Sequence, residues 1–131
     1  MSTPTDMKFL VVDDSVTMRR IMINALQRIG YSDIVEAADG RDALSRFDES
    51  IGFVITDWNM PNMTGVEFAR AIRARPDGLS VPIMMVTTRG AREDIVAAVE
   101  AGVNNYILKP FTPSVLKEKI DRLLTSTGVA A

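Results

Sequence analysis

Five short apolar runs punctuate the chain: FLVV at 9–12, IVEA at 34–37, FVIT at 53–56, IMMVT at 83–87 and YIL at 106–108. Each is rich in Val, Ile, Met or Phe and too short for a buried helix, so each is expected to be a strand. Between them the apolar spacing lengthens from two residues to that of a helix. Strict strand–helix alternation implies a parallel sheet with helices on both faces. Five strands are too few for an eight-stranded barrel, which leaves an open α/β sheet. FLVV and FVIT are continuous hydrophobes, as central strands require, whereas IVEA is interrupted by Glu36 and suits an edge. Placing the first and third strands side by side, with the second outside the first, gives the order 2-1-3-4-5.

The helices announce their ends. Met18, Ile21, Met22, Ala25, Leu26 and Ile29 form one stripe, which Gly30 is placed to stop. Thr64 with Glu67 has capping-box spacing. Glu93 and Asp94 stand in the first turn of a helix that carries Ile95 and Val99 and stops at Gly102. Thr112 as N-cap and Pro113 at the first helical position precede Leu116, Ile120, Leu123 and Leu124. A weaker, shorter helix is expected around residues 39–47. With no repeat, linker or low-complexity tract, one domain is expected over residues 8–125, with a disordered tail at 1–7 and a flexible one at 126–131.

Composition narrows the chemistry. The chain has no cysteine and no histidine, which excludes disulfides, thiol nucleophiles, zinc–thiolate sites and imidazole catalysis. A net charge of -2 gives no basic field for nucleic acid. No apolar stretch is long enough to span a membrane and the N-terminus does not read as a signal peptide, so a cytoplasmic protein is expected. Any reaction must run on Asp, Glu, Lys, Ser, Thr, Tyr and the backbone.

In a 2-1-3-4-5 sheet the crevice opens where the strand order reverses, at the C-terminal ends of strands one and three. Strand one ends in Asp13-Asp14, strand three in Asp57, strand four in Thr87-Thr88 and strand five in Lys109. Singly, each has a plain structural reading: Asp14 or Ser15 as a helix cap, Thr87 as a strand residue, Lys109-Pro110 as a turn, Tyr106 as a packing aromatic. Jointly, four of five strand ends deliver polar groups to one rim. Three carboxylates about 4–6 Å apart repel one another by about 3–4 kcal/mol per pair at an effective dielectric near 20. With only oxygen donors at hand, Mg²⁺ is the ion such a cluster suits. A carboxylate beside Mg²⁺, a lysine and a hydroxyl has the parts for phosphoryl transfer onto Asp57.

FLVVDDS, VITDWNMPNMTG, MMVTT and YILKPFT together resemble the receiver domains of two-component response regulators, over residues 8–124. Within that family they are most similar to the stand-alone chemotaxis regulators of the CheY type. The resemblance implies a flavodoxin-like, CheY-like fold. It further implies that Asp57 accepts a phosphoryl group from a histidine kinase (CheA-like) or acetyl phosphate. Mg²⁺ would be held by Asp14, Asp57 and the backbone carbonyl of Asn59, with Asp13 acting through water. Lys109 would contact the phosphoryl group ahead of a cis Lys109-Pro110 bond, and Thr87 would swing toward it while Tyr106 turns inward. Arg92, Ile95, Val99, Val103, Tyr106, Lys119 and Arg122 would form the face that binds the flagellar motor switch protein. By this reading the chain is a monomeric signalling switch rather than a turnover enzyme, with a phosphatase as a further partner.

Three positions depart from the family pattern. Thr88 replaces a small residue and is expected to narrow donor access or hinder Tyr106, Arg89 replaces an acid, and Thr64 replaces a common Asp. Two rivals share the fold: a phosphate sink, and a receiver acting on another protein partner. A phosphatase working through phospho-Asp would want a second acid two residues after Asp57, where Asn59 stands, and a dinucleotide-binding module would want a glycine fingerprint where DDSVTM stands.

Overall fold

The computed structural model describes residues 6–126. Elements follow in the order β1 (Phe9–Val12), α1 (Val16–Ile29), β2 (Ile34–Ala37), α2 (Gly40–Arg46), β3 (Phe53–Thr56), α3 (Gly65–Arg73), a 3-10 turn (Pro76–Gly78), β4 (Ile83–Thr87), α4 (Arg92–Glu100), β5 (Asn105–Leu108) and α5 (Pro113–Ser126). The five strands form one parallel sheet in the order β2-β1-β3-β4-β5, as expected. β5 begins one residue earlier than its apolar run, because Asn105 pairs with Met84 despite its polar side chain.

Alternation along the strands splits the core in two. Phe9, Val11, Phe53, Ile55, Met84 and Val86 pack with Met22, Ala25 and Leu26 of α1 and Leu116, Ile120, Leu123 and Leu124 of α5. Leu10, Val12, Val54, Ile83 and Met85 face the other way, onto Ala43 of α2, Phe68, Ala69 and Ile72 of α3, and Ala98 of α4. β1, β3 and β4 are buried throughout, while edge strand β2 is only half-buried. Ile21 departs from its expected place in the α1 stripe: it is 46% exposed, because the buried seam of α1 runs through Met22, Ala25 and Leu26.

The helix ends are set by local chemistry. Ser15, not Asp14, caps α1, its Oγ accepting from the Met18 N–H at 3.2 Å. Gly30 closes that helix at φ 118°, a left-handed conformation that costs glycine little. Thr64 and Glu67 form the reciprocal capping box at α3, and Thr112 Oγ1 accepts from the Val115 N–H at 3.2 Å. Residues 1–5 and 127–131 of the expected tails lie outside the described residues. Met7, within the expected N-terminal tail, packs against the α1–α5 core cluster.

Candidate functional site

Register alone brings the acidic residues together. Val12 is paired with Thr56, so Asp13 and Asp57 leave neighbouring strands side by side, and the Asp57 N–H donates to the Val12 carbonyl at 3.0 Å. Parallel strands lie about 4.8 Å apart, which fixes how close the two side chains start. Asp14 completes the cluster: one carboxylate oxygen from each of Asp13, Asp14 and Asp57 lies within 4.8 Å of the others. Thr87 is likewise paired with Leu108, and the Lys109 N–H donates to the Thr87 carbonyl at 2.9 Å, which delivers Lys109 to the same rim.

The Lys109 ammonium bridges the cluster, with Nζ 2.9 Å from Asp57 Oδ2 and 3.1 Å from Asp13 Oδ2. The other oxygens of these acids are held by backbone: Asp57 Oδ1 accepts from the Trp58 N–H at 2.6 Å and Asp13 Oδ1 from the Ser15 N–H at 2.9 Å. Arg19 Nη1 also donates to the Asp13 carbonyl at 2.6 Å. Below them lies a narrow cleft floored by Met18, Met22, Ile55, Val86 and Phe111. Burial is the main force on Asp13 and raises its pKa above the ordinary carboxylate value, against the Ser15 N–H and Lys109. Burial also works to lower the pKa of Lys109, but the Asp57 and Asp13 carboxylates outweigh it and the net direction is up.

The donor set fits a hard divalent cation. Three carboxylates and one ammonium give -3 + 1 = -2, a charge that one such ion cancels. Asp14 is exposed and faces the open side, and all the donors are oxygen.

The remaining expected residues fall into two groups. Thr87 is fully buried, and its Oγ1 accepts from the Arg89 N–H at 3.3 Å within the turn after β4. Tyr106 is half-buried and its hydroxyl donates to the Arg89 carbonyl at 2.7 Å. Thr88, beside Arg89 in the chain, is exposed. The Lys109-Pro110 bond is cis, as expected. Asn59 is exposed on the loop after β3.

On the α4–β5–α5 side, Arg92, Val99 and Arg122 are exposed and Ile95 and Lys119 half-buried, with Arg122 paired to Glu118 at 2.9 Å. Val103 does not belong to that surface. It is 4% exposed and packs in the core, because the chain turns inward after Gly102 and the Val103 N–H bonds the Ala98 carbonyl. Val96 and Leu108, 46% and 49% exposed, are the apolar residues of α4 and β5 that sequence reasoning missed. Their signal was faint: Val96 lies beside the stripe, and Leu108 is exposed only because β5 is an edge strand.

Comparison with known proteins agrees with this geometry. The family model for the response regulator receiver domain matches residues 9–121. A chemotaxis protein CheY homolog of Campylobacter jejuni is 51% identical over 128 residues, spanning 95% of this chain and 98% of its own. Chemotaxis protein CheY1 of Helicobacter pylori is 50% identical over 120 residues, spanning 90% and 97%. Among solved structures, Vibrio cholerae CheY4 superposes with a TM-score of 0.85 at 37% identity, covering 91% of this chain and 99% of its own. The receiver domain of a Pseudomonas aeruginosa sensor histidine kinase, which holds a magnesium ion in its active-site cleft, gives 0.83 at 26% identity, covering 92% and 98%.

Proposed function

The chain belongs to the response regulator receiver family, and we propose that it is a chemotaxis regulator that accepts a phosphoryl group on Asp57 from a histidine kinase. The observation that carries this reading is the Lys109 bridge between Asp13 and Asp57 at the strand reversal, with Asp14 beside it. In the transfer, an Asp57 carboxylate oxygen attacks phosphorus, the P–N bond of phosphohistidine breaks, and the imidazole leaves with its electron pair and takes up a proton. With acetyl phosphate the broken bond is P–O and acetate leaves. Asp14, Asp57 and the Asn59 carbonyl would hold Mg²⁺, with Asp13 through water; when bound, the ion neutralises charge on the phosphoryl oxygens.

The chain's own groups do the rest. The Trp58 N–H fixes the orientation of the Asp57 carboxylate. Lys109 is held between two carboxylates, so its ammonium is in place to meet the incoming phosphoryl oxygens. Hydrolysis of the acyl phosphate returns Asp57 and inorganic phosphate and so resets the switch.

Output runs through a cytoplasmic protein partner, the flagellar motor switch protein, at the α4–β5–α5 face. Thr87 and Tyr106 are the coupling residues, since both bond to Arg89 in the loop between site and face. Arg92, Ile95, Val99, Lys119 and Arg122 offer an apolar stripe with basic margins, suited to an amphipathic acidic peptide. Trp58, the only tryptophan, adjoins Asp57 and reports on the site. Titration with Mg²⁺ and then beryllofluoride should change its emission saturably in the wild type, and Asp57→Asn should lose the beryllofluoride response. A response retained in Asp57→Asn would place the acceptor elsewhere.

A further inference from the structure

The loop between β4 and α4 carries a cation that the transfer chemistry leaves unused. The Arg89 guanidinium lies over the Trp58 ring, 4.6 Å from its centroid. Its Nε donates to Asn59 Oδ1 at 3.1 Å, and its Nη1 meets Asp94 Oδ1 at 3.3 Å. One side chain thus joins the loop that follows the phosphoacceptor to the first turn of α4. Its backbone joins the two coupling residues, with the N–H on Thr87 Oγ1 and the carbonyl under the Tyr106 hydroxyl.

The three side-chain contacts are not equally firm. The Asp94 contact is the longest of the two polar ones, and both partners are partly exposed, 40% for Arg89 and 27% for Asp94. The helix end it holds has little else: Ala91 stands at the N-cap of α4 and offers no side-chain oxygen, unlike Ser15, Asp39 and Thr64 at α1, α2 and α3. A phosphoryl group on Asp57 would bring close to two negative charges and three acceptor oxygens next to Trp58, on which Arg89 already rests. Guanidinium groups bind such oxygens in a two-point fork, a stronger contact than a single oxygen at 3.3 Å.

We propose that Arg89 is a charge-operated latch. While Asp57 is unmodified it ties the first turn of α4 to the loop carrying Trp58 and Asn59. Once a phosphoryl group sits on Asp57, the guanidinium turns from Asp94 to the phosphoryl oxygens and frees the start of α4. This rests on the phosphoacceptor reading above. It makes Asp94 a competitor for Arg89, so the Arg89–Asp94 pair opposes occupancy of the site by an anion.

The test is a double-mutant cycle on beryllofluoride affinity with Mg²⁺ present, read from the bound fluorine-19 resonance in wild type, Arg89→Gln, Asp94→Asn and the double variant. Fluorine detection is independent of Trp58, whose emission Arg89 itself perturbs. The latch predicts that Asp94→Asn tightens binding by about two- to five-fold when Arg89 is present and leaves it unchanged in the Arg89→Gln background. Hydrogen exchange of the first turn of α4 should quicken on binding in the wild type and be fast from the start in Asp94→Asn. Binding that is normal in the wild type yet unaffected by Asp94→Asn overturns the latch alone, as does an equal effect in both backgrounds. No bound resonance in the wild type overturns the phosphoacceptor reading and the latch with it.

Discussion

Replacing Lys109 with methionine removes the ammonium that bridges Asp13 and Asp57 while keeping the length of the side chain. In the folded chain its ammonium makes two charge-assisted hydrogen bonds, at 2.9 and 3.1 Å, and the three side chains are only 10–13% exposed. Bonds to charged groups contribute about 1.5–3 kcal/mol each. Leaving a buried partner uncompensated costs about 3–5 kcal/mol, reduced here because Asp14 and the rim open to water. The expected loss is therefore about 2–4 kcal/mol in metal-free protein near neutral pH, or roughly 4 °C in Tm for each kcal/mol.

The pH dependence has a definite sign. Lys109 has a raised pKa, so its contribution is complete below its ordinary value and lost only as pH rises through the higher folded value. Asp13 also has a raised pKa, so protonation of Asp13 favours the folded chain, and that benefit is withdrawn as pH rises through its folded value. Without Lys109, Asp13 protonates more readily still, and the penalty of Lys109→Met should shrink as pH falls from neutrality. Saturating Mg²⁺ should stabilise the variant more than the wild type, because the cluster's charge falls from -2 to -3 when the ammonium is lost. Urea unfolding with a chelator or with Mg²⁺, followed by circular dichroism, measures all three. A variant as stable as the wild type in chelator near neutral pH would refute the reasoning.

A Cβ on Gly65 would lie 2.0 Å from the Asp57 carbonyl oxygen, a backbone atom that cannot yield cheaply. Gly65→Ala is expected to cost about 1–3 kcal/mol in urea unfolding and to depress phosphorylation as well, since the Gly65 N–H to Trp58 carbonyl bond fixes the same loop. Thr64→Ala, one residue away, removes only the capping box and should cost about 1 kcal/mol with phosphorylation unchanged. Arg73 donates to the carbonyls of Gly78 and Gly102 and to Asn104 Oδ1, all from a half-buried side chain. Arg73→Met should cost about 2–3 kcal/mol and speed hydrogen exchange where α4 meets β5.

The sheet and its active rim were legible because they follow from short-range pattern. Apolar runs set β1 to β4 to the residue, and strand order with register then forces Asp13, Asp57 and Lys109 together whatever lies between them. Caps such as Ser15, Thr64 and Thr112 were readable for the same reason, because their chemistry is local, although sequence could not decide between Asp14 and Ser15. Exposure was harder. Ile21 and Val103 have the composition of their neighbours, and only the rotation of α1 and the inward turn after Gly102 decide which side they face. The surroundings of Arg89 were the least legible part. Trp58, Asn59, Asp94 and Tyr106 come from three separate segments, and no spacing rule links them to position 89.

The most direct test of the phosphoacceptor account is to treat the protein with acetyl phosphate, reduce any acyl phosphate with borohydride, and map the product by peptide mass spectrometry. The account predicts homoserine at position 57 alone, formed only when Mg²⁺ is present and absent from Asp57→Asn. Homoserine at position 13 or 14, labelling that ignores Mg²⁺, or no labelling at all would contradict it.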